Sequence, residues 1–176
     1  SFATGSVNGV TEVGGFAGHG NYAGFNMVYA KGNVTASSNR AGGLIGWGTN
    51  VTFTEGYATG DVTGVESVGG LAGETSNSTY IELFATGAPT GNAATNIVGY
   101  LYGTETTVTT TNSHYWSGQT CTNSGTGSCN TSASGSTATL SDFYDSDSAP
   151  LNAWAFGSDW NTVAGFTDYP KLGWEP

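Results

Sequence analysis

One segment of this chain is written four times, and that recurrence restricts the fold more than any other property. SFATGSV from Ser1, VYAKGNV from Val28, GYATGDV from Gly56 and LFATGAP from Leu83 open the four units, and their aromatic anchors Phe2, Tyr29, Tyr57 and Phe84 recur every 27 to 28 residues. A second signature follows about eleven residues into each unit: VGGFAG from Val13, AGGLIG from Ala41, VGGLAG from Val68 and a degenerate VGYLYG from Val98. A fixed period in this range marks a repeat architecture, in which one unit cannot bury its apolar face and must stack on its neighbours.

Within a unit the pattern is that of strands. In YATGDVTG, Ala58, Gly60 and Val62 alternate with Tyr57, Thr59 and Asp61, so one face is small and mostly apolar and the other polar or aromatic. The glycine signature supplies a second run, and NVTFTEG from Asn50 or STYIEL from Ser78 supplies a third before the next unit begins. Three short strands and three turns in about 27 residues make one coil of a β-solenoid. An all-β solenoid of about four coils is therefore expected over 1–116. The paired glycines are expected at a bend or at a close approach of two backbones.

Composition agrees with this and removes other classes. Charged residues are 9% of 176 and aromatics 12%, a profile of ordered β structure rather than of disorder. Net charge is −10, with Lys31, Arg40 and Lys171 as the permanent cations. Nucleic acids and anionic membrane surfaces need clustered Lys and Arg, so neither is an expected partner. The apolar runs are too short to span a bilayer.

The combination of VGGLAG, a Thr/Asn-rich stretch and YATGDV resembles the GLUG repeat of large bacterial surface proteins, many of them adhesins. The resemblance covers about residues 1 to 116 and departs from the pattern at Lys31, Pro89 and Tyr100. It implies a secreted or surface-anchored β-solenoid without a catalytic centre. Pro89 removes a ladder donor, which places the end of the regular stack at the fourth unit.

Residues 117–176 read as a separate irregular cap. Cys121 and Cys129, in CTNSGTGSC, are expected to close a small disulfide loop, which implies an oxidising compartment; two free thiols in a loop are the alternative. The run HYWSGQT…WAFGSDWNTV…DYPKLGW resembles segments that close GLUG arrays. A solenoid end exposes backbone groups and a core cross-section, and Trp154, Trp160, Tyr169, Leu172 and Trp174 are expected to cover it. At the other end a coil begins at Ser1 with nothing ahead of it, so another copy of the chain or a neighbouring repeat is an expected partner through that edge.

Other candidate sites are weaker. Asp142, Asp145 and Asp147 lie within DFYDSDS and offer oxygen ligands to a structural Ca²⁺, yet the DxDxDG spacing is missing, which favours a solvated acidic turn. No other cofactor is expected. Trp47, Tyr100 and Tyr102 are candidates for a glycan-stacking platform, against packing in the core or cap. Thr4, Thr59 and Thr86 recur in phase as an ice-binding ladder would, but Lys31 interrupts them. Sequons begin at Asn33, Asn50, Asn77 and Asn130, a number this Ser/Thr-rich chain reaches by chance. Asp61, Glu66 and Glu74 are scattered among turns, and His19 and His114 differ in phase, so no catalytic constellation is expected. The chain thus reads as a non-catalytic, extracellular adhesion module. A filament or pilus subunit is the alternative, and a glycan- or ice-binding module a weaker one.

Overall fold

The computed structural model describes residues 1–92, 97–124, 129–130, 136–139, 141–144, 150–162 and 169–175. The first coil comprises β1 (Phe2–Ala3), β2 (Val7–Gly9), β3 (Val13–Gly14) and β4 (Ala17–Asn21). The second comprises β5 (Gly24–Ala30), β6 (Val34–Ala36), β7 (Asn39–Gly42) and β8 (Ile45–Thr49). The third holds β9 (Thr52–Ala58), β10 (Val62–Gly64), β11 (Glu66–Gly69) and β12 (Ala72–Ser76). The fourth holds β13 (Thr79–Ala85), β14 (Pro89–Gly91), β15 (Val98–Gly99) and β16 (Tyr102–Thr106). Like strands pair in parallel from coil to coil, forming four sheets along the stack that we number 1 to 4 in chain order. The fold is an all-β solenoid of about four coils.

Each coil has four strands, not the three expected from the sequence. The third run and the aromatic run are one seven-residue strand, β5, β9 or β13, bent at Met27, Glu55 or Glu82, where φ is 50°, 57° or 56°. The glycine signature is a corner that ends one strand and starts another. A Cβ on Gly69 would lie 2.1 Å from the Ala72 carbonyl oxygen, and one on Gly70 2.2 Å from the Tyr100 carbonyl oxygen of the next coil. Glycine is needed here because backbones nearly touch. Tyr100 aligns with Gly70 but stands at the last full coil, beneath the Gly99–Asn130 bridge. Its ring stacks on Tyr115 at 4.5 Å.

The bore is filled by buried columns. Leu44, Leu71 and Leu101 are buried at the glycine corner, and Phe25, Phe53 and Tyr80 stack in register with centroids 4.5 and 5.5 Å apart, while Tyr102, from β16 of sheet 4, packs tilted against Tyr80 at 4.8 Å. The buried Tyr80 hydroxyl donates to Thr75 Oγ1 at 2.9 Å. Desolvation holds the Tyr80 and Tyr102 hydroxyls above the ordinary phenol range, so both stay neutral.

Parallel pairing continues past residue 116, where a boundary was expected. β17 (Thr109–Thr111) and β18 (His114–Trp116) both pair with β13, β19 (Thr122–Asn123) pairs with β14, and β20 (Ser136–Ala138) pairs with β18. Pro89 removes one donor from β14, and pairing with β19 begins one residue later, at Thr90. The proline therefore does not stop the stack. The Cys121–Cys129 disulfide bridges the segment between β19 and the Gly99–Asn130 bridge, at the fifth level.

The anchor side chains face out of the bore. Phe2, Tyr29, Tyr57 and Phe84 form an outer column on sheet 1, with centroids 5.1, 4.9 and 4.8 Å apart and planes within 9°. His114 continues it in register above Phe84. Residues 150–162 and 169–175 lie back along this column as a strap, which includes the antiparallel pair β21 (Trp160–Asn161) and β22 (Lys171–Leu172). Trp154 stacks on His114 and Phe84, Trp160 lies against Phe84 and Tyr57, and Trp174 stacks on Tyr29 and Phe2. Trp154, Trp160, Tyr169, Leu172 and Trp174, expected across the end of the solenoid, thus cover its flank. The outer column creates an apolar stripe along the stack, in which Tyr29, Tyr57 and Phe84 are buried while Phe2 stays exposed beside Trp174.

Candidate functional site

The strap and sheet 1 meet along a seam, and the polar groups of that seam converge on Lys31. Lys31 occupies the position filled by Thr4, Thr59 and Thr86 in the other coils, directly after the inward-facing alanines. Its Nζ reaches back over the rings of Tyr29 and Tyr57, 4.8 and 5.6 Å from their centroids, and lies 2.5 Å from Glu175 Oε1. The Tyr57 hydroxyl donates to the same carboxylate, 2.6 and 2.7 Å from its two oxygens. The Glu175 side chain is only 2% exposed. Burial, then the Glu175 charge, push the Tyr29 hydroxyl above its ordinary pKa, while Lys31 acts the other way.

Beside this pair opens a pocket of about 180 Å³ lined by Lys31, Tyr57, Thr59, Tyr169, Pro170 and Lys171. Alternation on β21 and β22 explains how Lys171 comes to it: Trp160 and Leu172 are opposite each other and buried, which leaves Lys171, paired with Asn161, on the other side of the ribbon. Two of the three permanent cations of a chain with net charge −10 therefore line one pocket. Ammonium donors, phenol rings, a proline ring and a hydroxyl suit the recognition of a small anionic group with an apolar face.

The third cation lies elsewhere. Arg40 donates to Glu74 at 2.7 Å and to Glu12 at 2.9 Å, and its guanidinium sits 4.3 Å from the Trp47 ring centroid. Hydrogen bonding to Glu74 leads the causes that raise its pKa. His19, in register beneath Trp47, stacks on the indole at 4.4 Å, and its Nδ1 is 3.6 Å from Glu12. A guanidinium and an imidazole thus already engage the Trp47 ring. Tyr102 is fully buried in the bore, with its hydroxyl 3.0 Å from Thr110 Oγ1, and Tyr100 is stacked on Tyr115. The structure does not bring Trp47, Tyr100 and Tyr102 together as a stacking platform: Trp47 shares the outer row of sheet 4 with His19, Glu74 and Thr104, Tyr102 faces the bore, and Tyr100 lies at the glycine corner against Tyr115.

A carboxylate cluster lies under the strap. Glu55 and Glu82 are adjacent in the bent position of sheet 1, and Asp159 of the strap adds its charge to both. Burial is the first cause holding both glutamates above the ordinary carboxylate range; for Glu55 the Asp159 charge follows, and for Glu82 a hydrogen bond from Ala155 opposes it. Asp142 caps its own turn, its Oδ2 accepting from the Thr139 amide at 2.6 Å. Asp145 and Asp147 lie outside the described residues. Among the described residues, no group of three His, Cys, Asp or Glu is placed to hold a metal ion, and no helix is long and apolar enough to cross a membrane.

Sequence reasoning marked Lys31 as a break in the threonine positions but missed its partner. Glu175 is 144 residues away, and only the return of the strap brings the two together. Lys171, Tyr169 and Pro170 carried a signal as a group, the DYPKLGW ending, but that signal pointed to a cap.

No family model and no curated protein matches the chain. A solved structure from Bacteroides ovatus, described as a putative immunoglobulin A1 protease, is similar to it with a TM-score of 0.67 and 22% sequence identity. The match covers 99% of this chain and 57% of the other, so the chain spans a little over half the length of that protein. At this identity the likeness concerns the β-solenoid fold.

Proposed function

We propose that the chain is a non-catalytic attachment module of an extracellular surface protein, a rigid acidic rod that presents rows of side chains to a cell, matrix or glycan. The observation that carries this reading is the ladder order of the exposed faces. Equivalent residues of successive coils lie in register, as with His19, Trp47, Glu74 and Thr104 on sheet 4. Such rows repeat at about the 4.8 Å spacing of paired strands, which favours extended contact over a single reacting centre. The strap stiffens the rod by crossing the coils from His114 to Phe2. A disulfide at the fifth level fits an oxidising compartment, and the resemblance to GLUG repeats points to the bacterial surface.

Proteolysis, named for the Bacteroides ovatus protein, is not assigned to this chain, whose paired polar clusters are bridged internally by Arg40 and Lys31. The test is retention of the purified chain on mucin-coated and matrix-coated surfaces under flow, run beside incubation with immunoglobulin A1. Saturable retention with intact immunoglobulin is expected. Cleavage of the heavy chain, or retention no greater than that of an unrelated acidic protein of equal size, overturns the reading.

A further inference from the structure

We propose that the outer end of the first coil is a docking face for one further coil of the same repeat, laid against it in parallel. Glycine placement carries the inference. Gly32, Gly60 and Gly87, each three residues past an aromatic anchor, are glycine because of the coil beneath them. A Cβ on them would press into the carbonyl oxygens of Gly5, Gly32 and Gly60 in turn, each less than 3.0 Å away. No side chain fits at such a distance. Gly5 holds the same position in the first coil, yet a Cβ on it would meet nothing within 4 Å. Its φ is not positive either, so neither space nor backbone conformation within this stack calls for glycine there. A coil beneath, offering the same carbonyl, does.

The packing of the first coil points the same way. Ala3, Val7, Phe16 and Ala17 sit at the positions of Ala30, Val34, Leu44 and Ile45, which are at most 1% exposed. In the first coil these apolar residues are only partly buried. Phe2 is 56% exposed, whereas the anchors stacked above it, Tyr29, Tyr57 and Phe84, are 4%, 2% and 0% exposed. The coil therefore has the residues of an interior unit and the exposure of a terminal one. A unit built to end a repeat array turns a polar face outward, and this one does not.

The backbone selects the occupant. β1, β2, β3 and β4 are the terminal strands of the four sheets, so one partner coil can pair with all four at once and continue the interface that already joins each coil to the next. Open sheet edges are commonly blunted by Lys or Pro, and residues 1–23 contain neither. The fitting partner is a parallel coil with a glycine beneath Gly5 and an aromatic ring beneath Phe2. The inference does not depend on the attachment reading.

The test adds a second copy of residues 1–27 before Ser1, which leaves the whole chain and its strap in place. The added coil is expected to raise the melting temperature by about 5 °C or more and to resist proteolysis as the other coils do. Gly5→Val at the original position is expected not to lower the melting temperature of the parent chain, because its side chain enters open space. In the extended chain the same substitution is expected to remove most of the gain. The proposal is overturned if the extended chain melts no higher, if the added segment is digested like an unfolded tail, or if Gly5→Val acts equally in both chains. Sedimentation of the parent tests the other occupant: assembly that Gly5→Val disperses would place a second copy of the chain on this face and overturn the repeat coil as its partner.

Discussion

Thr107 holds a β-branched side chain at φ 54°, in the left-handed region. Its equivalents Tyr22, Asn50 and Asn77 have φ of 52°, 52° and 49°, so the turn from sheet 4 to sheet 1 demands this conformation in every coil. Asparagine tolerates it best among non-glycine residues. Thr107→Asn is therefore expected to raise stability by about 0.5–1 kcal/mol, and Asn77→Thr to lower it by a similar amount, both read by urea titration. Gly70→Ala behaves differently, since its Cβ would press on the Tyr100 backbone of the next coil. It is expected to cost more than about 3 kcal/mol, whereas Tyr100→Gly costs less, losing the Tyr115 stack but no backbone contact. The glycines of these corners were legible as punctuation. The left-handed residues were not, because Glu12, Arg40, Ser67 and their like share no chemistry that signals φ.

The strap and the strand beneath it carry the strongest pH dependence expected. Burial holds the Glu82 and Glu55 carboxyls above their ordinary pKa near 4.5, against the hydrogen bonds that Glu82 accepts from Ala155 and Trp160. The folded chain then binds protons more tightly than the unfolded one. Stability from these two groups is gained as pH falls from neutral towards about 5 and lost as pH rises through the raised pKa values. A higher urea midpoint at the mildly acidic end is expected. Glu82→Gln should raise the midpoint at neutral pH and flatten the rise. Phe84→Ala removes a fully buried ring that meets Phe143, Trp154, Trp160 and Tyr169. A loss of about 3–5 kcal/mol is expected, with early proteolytic release of the strap. The repeat and the solenoid were readable because the coil is local and is repeated. The destination of Trp154, Trp160 and Trp174 was not, since period-2 alternation separates Tyr57 from the small inward Ala58 but does not show which segment covers the aromatic face. An aromatic column reads equally well as core or as flank until the segment that covers it is known.

Over the whole molecule, like charges dominate at −10. Self-repulsion of that kind is screened within about 10 Å at 0.1 M salt, so the melting temperature should rise between low and moderate NaCl. A fall would show that the Arg40 and Lys31 ion pairs outweigh the repulsion. Reducing the Cys121–Cys129 bridge, which closes a loop with sequence separation 8, is expected to cost about 2–3 kcal/mol. The acidic β-solenoid was legible from composition and period; the pocket on its flank was not, because its lining joins residues 31–59 to residues 169–171.

The direction of the strap has a consequence for how such a protein can change. It leaves the stack beside His114 and finishes on Phe2 and Lys31, so its length is matched to the number of coils it crosses. An open repeat array tolerates gain or loss of a unit, because each coil touches only its neighbours. Here a coil inserted between Phe2 and His114 would move the starting point one strand spacing away, and Trp174 and Glu175 would fall short of Phe2 and Lys31. The coils between Phe2 and His114 are thereby tied to one another by a connection of fixed reach.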